Sequence, residues 1–467
     1  MKRRHPGHVI FLENSFPATL RKNEEAARIP RAFCIMKGDM KSLALLLISI
    51  AGLRAADAQA VTFYRDVLPI LQNRCQSCHR AGEIGPMPLG SYAEARPWAK
   101  AIRQAVVTRK MPPWNADGPR GKFRNDPSLS QAEIDKLTAW IDSGAPEGSA
   151  KDAPPAPSFT EGWSIGTPDV VFEMPEAYDV PAAGTIEYTY IIVPTGFKQD
   201  RWMSSAEVRP GNRAVVHHAN VYVREPGSAW LREYPYGKPF VPDEKGERAA
   251  TGGSSSAGAS VREQVIAGYI PGRPAKQVPP GYGMLVPAGS DLVFQLHYTA
   301  TGKAVQDRTK IGFIFAKQLP EKRVIRIQAS NSGFVIPPGA ASYPVSGTAA
   351  LGVECELLDA YPHMHYRGQS MTLSATYPTG EKDQLLRVPR YDFNWQLVYE
   401  MGQPKLLPKG TVLRADATFD NSPNNRFNPD PKAEVRWGDQ TWEEMMVGFF
   451  DVAVPSKTDL AKVLGKP

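Results

Sequence analysis

The chain has 467 residues, 42% of them hydrophobic, enough for two or three cores at the usual ~100–200 residues per domain. Its formal charge of +7 is uneven: residues 1–60 hold ten Lys and Arg against five Asp and Glu, which leaves only +2 on the remainder. That distribution removes the electrostatic argument for a nucleic-acid partner.

Residues 1–39 are polar, mixed and without period. From Lys41 to Val61 the chain has the form of a secretory signal: a basic start, an apolar run from Leu43 to Leu53, and Ala58-Gln59-Ala60 as a small-residue cleavage site. The run is far shorter than the ~20 residues a bilayer requires, so no integral membrane span is expected. A translation start at Met36 or Met40, cleavage after Ala60 and a periplasmic or secreted mature protein fit this leader, and an uncleaved interfacial anchor is the alternative. Cleavage removes Cys34 and leaves Cys75, Cys78 and Cys355, too few for a disulfide framework, so the exported chain is expected to be disulfide-free.

Residues 61–146 have a helical pattern. Phe63, Val67, Ile70 and Leu71 share one face, and Pro69 implies a helix start or kink nearby. Ser91-Tyr92-Ala93-Glu94 and Ser130-Gln131-Ala132-Glu133 both have the capping-box form. The first leads, past a break at Arg96-Pro97, into a helix reaching Val107. The second precedes Ile134, Leu137 and Ile141, with Gly144 where a C-cap is expected.

Residues 147–160, rich in Pro, Ala, Gly and Ser, read as a linker. Beyond them the period becomes two: Ile186 to Ile192, Val215 to Val223 and Leu292 to Tyr298 are strand-like, and no long amphipathic helix appears before about residue 457. The expected fold is multidomain. A small all-α domain at 61–146 is followed by two all-β antiparallel, jelly-roll-like sandwiches at 161–325 and 326–467. Glu247 to Val261 lacks core-forming residues and reads as a mobile loop.

Cys75-Gln76-Ser77-Cys78-His79 carries the first chemistry. Two cysteines separated by two residues add their thiols to the vinyl groups of one haem, and the adjacent histidine falls beneath the iron as axial ligand. Half of a zinc site is the alternative, but it needs a second ligand pair that Cys355 alone cannot provide. Residues 61–146 resemble a small class I cytochrome c, including the approach Asp66-Val67-Leu68-Pro69-Ile70-Leu71 and the final helix with Trp140. Met111, held extended by Pro112 and Pro113, is the expected sixth ligand and Met87 the alternative, with ordinary packing the bland reading of both.

Once the leader is removed six histidines remain, and apart from His79 they occur as His217-His218, His297 and His363-Met364-His365. His363 and His365, two apart on a strand-like stretch, point to one face and can chelate one metal. His217 and His218 would point oppositely in a regular strand, so sharing a metal requires a strand end or a bulge. Leu292, Phe294 and Leu296 take the core side of their strand, which places His297 outward. Each histidine taken singly reads more readily as a hydrogen-bonded surface or core residue; the clustering of all five argues for ligands. Imidazole suits zinc, copper, iron and nickel, whereas a thioether favours Cu(I).

Four strings in order, Val216-His217-His218-Ala219-Asn220, Phe294-Gln295-Leu296-His297-Tyr298, Tyr361-Pro362-His363-Met364-His365 and Glu443-Glu444-Met445-Met446, resemble the copper type II, ascorbate-dependent monooxygenases. This is the family of the peptidylglycine alpha-hydroxylating and dopamine beta-monooxygenases, and the likeness covers roughly residues 165–455. The resemblance implies an electron-transfer copper on His217, His218 and His297. It implies a second, oxygen-binding copper on His363, His365 and Met445, with Met446 the alternative and core packing the bland reading of Met445. Positions that hold a peptide carboxylate in the peptide-processing relatives are Tyr361 and Phe449 here, so a peptide C-terminus is not the expected substrate, and these two residues are candidates for lining the substrate site.

The expectation is an exported monooxygenase with haem c and two coppers. It would hydroxylate a C–H bond of a small organic molecule with dioxygen, its electrons arriving through the haem from a redox protein or an ascorbate-like reductant. A periplasmic electron-transfer or copper-binding protein without turnover is the alternative. A haem-linked enzyme using zinc or iron in place of copper is a further one.

Overall fold

The computed structural model describes residues 60–81, 83, 85–159, 162–242, 263–270 and 274–465. The leader up to Gln59, with Cys34, and the Glu247–Val261 loop lie outside the described residues.

The α-helices of the described chain lie between residues 63 and 142, and their ends follow local chemistry. A π-type turn at Phe63–Val67 runs into the helix Leu68–Arg74, with Pro69 in the first turn, where a missing N–H leaves no helical bond unmade. Phe63, Val67, Ile70 and Leu71 are all buried, as their spacing predicts. Tyr92–Ala95 lasts one turn before a 3-10 turn at Arg96–Trp98 and the helix Ala99–Val107. Gln131–Asp142 begins with a complete capping box: Glu133 N–H donates to Ser130 Oγ at 3.2 Å and Ser130 N–H donates to Glu133 Oε2 at 2.7 Å. The chain leaves this helix through Gly144 at φ +93°, a left-handed conformation that favours glycine. Trp140 and Phe63, with ring centroids 5.8 Å apart, sit in the core of this helical part.

The rest of the described chain is β-rich, in several sheets. A first four-stranded sheet has the order Thr189–Pro194, Asp291–Tyr298, Val216–Arg224, Glu263–Tyr269. A second has the order Tyr343–Ala350, Val412–Phe419, Gly368–Thr376, Lys382–Val388. Each covers one part of a nine-stranded sheet, whose parts meet where Tyr282 and Gly283 pair in parallel with Lys322 and Arg323. Alternating apolar residues fill both interlayers. Val324 and Ala453 reach the first core although their strands belong to the second part, so one continuous sheet runs across residue 325. The strand expected from Ile186 starts at Thr189; Ile186 and Tyr188 are buried ahead of it. No helix among the described residues is long and apolar enough to cross a membrane.

Asp359 and Asp451 are direct cross-strand partners, a repulsive placement for like charges. Lys276 bridges them, donating to Asp359 at 2.7 Å and Asp451 at 2.6 Å, and Arg326 meets Asp451 with two bonds at 2.6 and 2.9 Å. Burial alone raises the Asp451 carboxyl, but Arg326 and then Lys276 outweigh it and hold the group well below the usual carboxylate range. A depressed carboxylate contributes stability that is present above its ordinary value of 3.8 and lost as pH falls toward the folded value. Asp451→Asn should lower the unfolding free energy at neutral pH by about 3–5 kcal/mol, since it leaves buried cations short of a partner. In denaturant titrations that deficit should begin to shrink below pH 3.8; a deficit independent of pH would contradict the assignment.

Candidate functional site

Val216 pairs with Tyr298 and His218 with His297, so His217 is an extra residue on its strand, a β-bulge. The bulge turns both imidazoles to one side: Nδ1 of His217 lies 3.2 Å from Nδ1 of His218. The ring of His297 stands 5.2 Å from that of His217 and 5.0 Å from that of His218. One ligand atom from each of the three lies within 4.8 Å of the others. His297 occupies the face opposite Leu292, Phe294 and Leu296, as alternation requires, but it is 8% exposed rather than outward in solvent. Tyr188, stacked on it at 4.8 Å, covers that face. Its Nδ1 is buried with no hydrogen-bond partner among the described residues, an arrangement that disfavours folding unless a ligand uses the lone pair.

Burial pushes His217 down to about 4, and burial followed by the charge of His217 pushes His297 down to about 3. His218 lies well below its ordinary value through burial, then His297 and His217, then His363 and His365. All three rings are neutral at physiological pH, the state a metal requires.

The second group closes the strand Cys355–His363. Its register places Asp359, Tyr361 and His363 opposite Asp451, Phe449 and Val447 on one face. Met364 turns the other way into the hydrophobic core, so His363 and His365 share a side, their rings 5.3 Å apart. His363 Nδ1 donates to Gln396 Oε1 at 2.7 Å and His365 Nδ1 to the Glu443 carbonyl at 3.3 Å, which leaves Nε2 of each ring as the lone-pair nitrogen. Burial lowers His363 to about 4, opposed by Gln396, and lowers His365 further. Glu444 Oε2 and Oε1 accept the N–H groups of His365 and Arg367 at 2.8 and 2.6 Å.

Met446 is fully buried in the same core as Met364, whereas Met445 is half-buried just ahead of the strand Val447–Pro455. Tyr361 and Phe449 stack at 4.6 Å, and Phe449 stands 6.0 Å from His363. Arg326, missed by sequence reasoning, donates to Tyr361 Oη at 3.0 Å, but its charge is already matched by Asp451.

Phe393 was also missed. Its ring stacks on His217 at 5.6 Å and meets His365 edge-on at 6.1 Å, so it stands between the two groups. No period or motif marks it, because it lies in an irregular loop.

Cys75 and Cys78 are free thiols at the end of the helix Leu68–Arg74. Burial and then the neighbouring Cys78 push the Cys75 thiol up to about 12. His79 Nδ1 lies 3.2 Å from the Met87 carbonyl, which can only accept, so the proton sits on Nδ1 and Nε2 is left for a ligand. Gly85 packs so closely that a Cβ there would fall 2.7 Å from His79 Nδ1. The Cys-x-x-Cys-His spacing and an Nε2 left for a ligand fit covalent haem attachment. Met87 packs against the helical core beside His79, and Met111 is half-buried.

No family model and no curated protein matches this chain. Among solved structures, the infectious bursal disease virus VP2 subviral particle is 8% identical over 64% of this chain and 74% of that one, with a TM-score of 0.18. The VP2 structure of the Gx strain of that virus is 9% identical over 64% and 76%, with a TM-score of 0.17. Likenesses this slight carry no argument about fold or function.

His297→Ala should lower tightly held Cu(II) or Zn(II) by about one equivalent per chain, as a three-histidine site loses an essential ligand. Metal analysis after dialysis measures this; unchanged stoichiometry would mean that the three rings are not a metal site.

Proposed function

We propose that the protein is an exported monooxygenase with haem c and two coppers that hydroxylates a C–H bond of a small organic substrate with dioxygen. The observation that carries this reading is the convergence of His217, His218 and His297, with an orphaned buried Nδ1, beside a second pair, His363 and His365, whose Nε2 atoms are both left for a ligand.

In this reading the haem and copper supply one-electron storage and dioxygen reduction, and the protein supplies position and exclusion of water. His217, His218 and His297 present neutral nitrogens at a bulge, so ligand binding displaces few protons. His363 and His365, locked in one tautomer by Gln396 and the Glu443 carbonyl, present Nε2 to the second site with the Met445 sulfur. A mixed nitrogen and thioether set favours copper over zinc, since soft sulfur stabilises the reduced ion.

Met111, with Met87 the alternative, would supply the sixth ligand to a haem bound at His79; both are half-buried. Tyr361 and Phe449 give the approach to His363 an aromatic wall. With Arg326 matched by Asp451, that wall offers no spare cation for a carboxylate among the described residues, which points to a neutral or aromatic substrate.

The test is metal content and oxygen uptake of periplasmically matured protein. The reading predicts about one haem and two coppers per chain, and substrate-dependent oxygen consumption that Met445→Ala lowers by orders of magnitude. Copper below one equivalent after reconstitution, or copper uptake without oxygen consumption across a panel of neutral organic substrates, would count against it.

A further inference from the structure

The loop between Val388 and Tyr399 touches both histidine groups, and its flanks are held by the helical part of the chain. Three of its side chains make the inner contacts. Tyr391 Oη accepts the Met364 N–H at 3.1 Å and donates to the Met364 carbonyl at 2.7 Å, which fixes the backbone between His363 and His365. Phe393, 7% exposed, lies at 15° to His217 and at 89° to His365, and its ring is 6.5 Å from His297. Gln396 sets the tautomer of His363.

The outer contacts come from residues 114–125. On one flank Asp117 N–H donates to the Arg387 carbonyl at 2.8 Å, and the two side chains form an ion pair. On the other, Asn125 Nδ2 donates to the Val398 carbonyl at 2.8 Å and its Oδ1 accepts the Glu400 N–H at 3.0 Å. Trp114 packs on Tyr399 with ring centroids 4.8 Å apart, and Phe123 enters the β core. The helical part therefore brackets the loop at both ends.

We propose that this loop is a shared positioning element: Phe393 sets the orientation of rings in both metal groups at once, and Asn125, from the haem-bearing part, sets the loop. A neutral ring wedged between two ligand sets couples their geometries, because moving it for one releases the other. The loop also ties the state of docking of residues 114–125 to both sites. This rests on the two-copper reading and adds a residue-level coupling between the centres.

The experiment uses the full haem-loaded chain with copper, comparing wild type, Phe393→Leu and Asn125→Ala. Cu(II) electron paramagnetic resonance reads ligand geometry at each centre, chelator competition reads affinity, and circular dichroism with haem absorbance monitors the fold. Phe393→Leu should change the hyperfine signature of both coppers and weaken both by about tenfold, the usual scale for residues that orient ligands. Asn125→Ala, remote from either metal, should shift both spectra in the same sense by a smaller amount. A folded Phe393→Leu protein in which only one signal changes, or neither, overturns the proposal. If that variant does not fold, Asn125→Ala decides, and spectra identical to wild type overturn it. Wild-type protein that takes up no copper overturns the two-copper reading and the loop's role together, whereas two bound coppers indifferent to Phe393 overturn the loop's role alone.

Discussion

A single inserted residue governs the first histidine group. Strand alternation sends neighbouring side chains to opposite faces, and His217 and His218 are neighbours. The bulge between Val216 and His218 cancels that alternation at one step, while the pairing of His218 with His297 keeps the third ring in register. A slip of one residue in this pairing would send Leu296 to the polar face and His297 into the apolar core. The row of bonds beyond it, Asn220 and Tyr222 to Gln295 and Gln295 to Tyr190, holds the register on the same face.

That face is covered at the histidines by Tyr188 and Phe393 and further along by Trp230 and Leu231. His217, His218 and His297 stand on the first four-stranded sheet, whereas His363 ends a strand of the nine-stranded sheet, which backs both cores. Lys276, Arg326, Asp359 and Asp451 lie on that sheet beneath Tyr361 and Phe449, and their mutual pairing makes burial of four charges tolerable. Such a network gives little net stability, but it permits few alternative packings beside the site.

Much of the local structure was legible in the chain. Ser130 and Glu133 announced a helix start through two reciprocal bonds that need no tertiary partner. The adjacency of His217 and His218 announced the need for a bulge, because geometry allows few other ways for both to meet one ion. The shared side of His363 and His365 followed from alternation. What was not legible depends on contacts distant in sequence. His297 was expected outward because period two distinguishes faces but not whether a face is covered, and its cover includes Tyr188, which lies ahead of its strand. Phe393 and Gln396 sit in an aperiodic loop whose meaning arises only when residues 217, 363 and 365 come to it. The docking of Trp114 and Phe123 on Tyr399 is likewise invisible to any local pattern.

In the proposed function two different ligand sets would stand on either side of Phe393, one of nitrogen alone and one of nitrogen with the Met445 sulfur. X-ray absorption at the copper edge of the reduced, fully loaded protein tests this most directly. It should show an average shell with one sulfur for every two coppers, and Met445→Ala should abolish the sulfur while leaving the haem spectrum unchanged. A shell of nitrogen and oxygen alone in the wild-type protein would contradict the account.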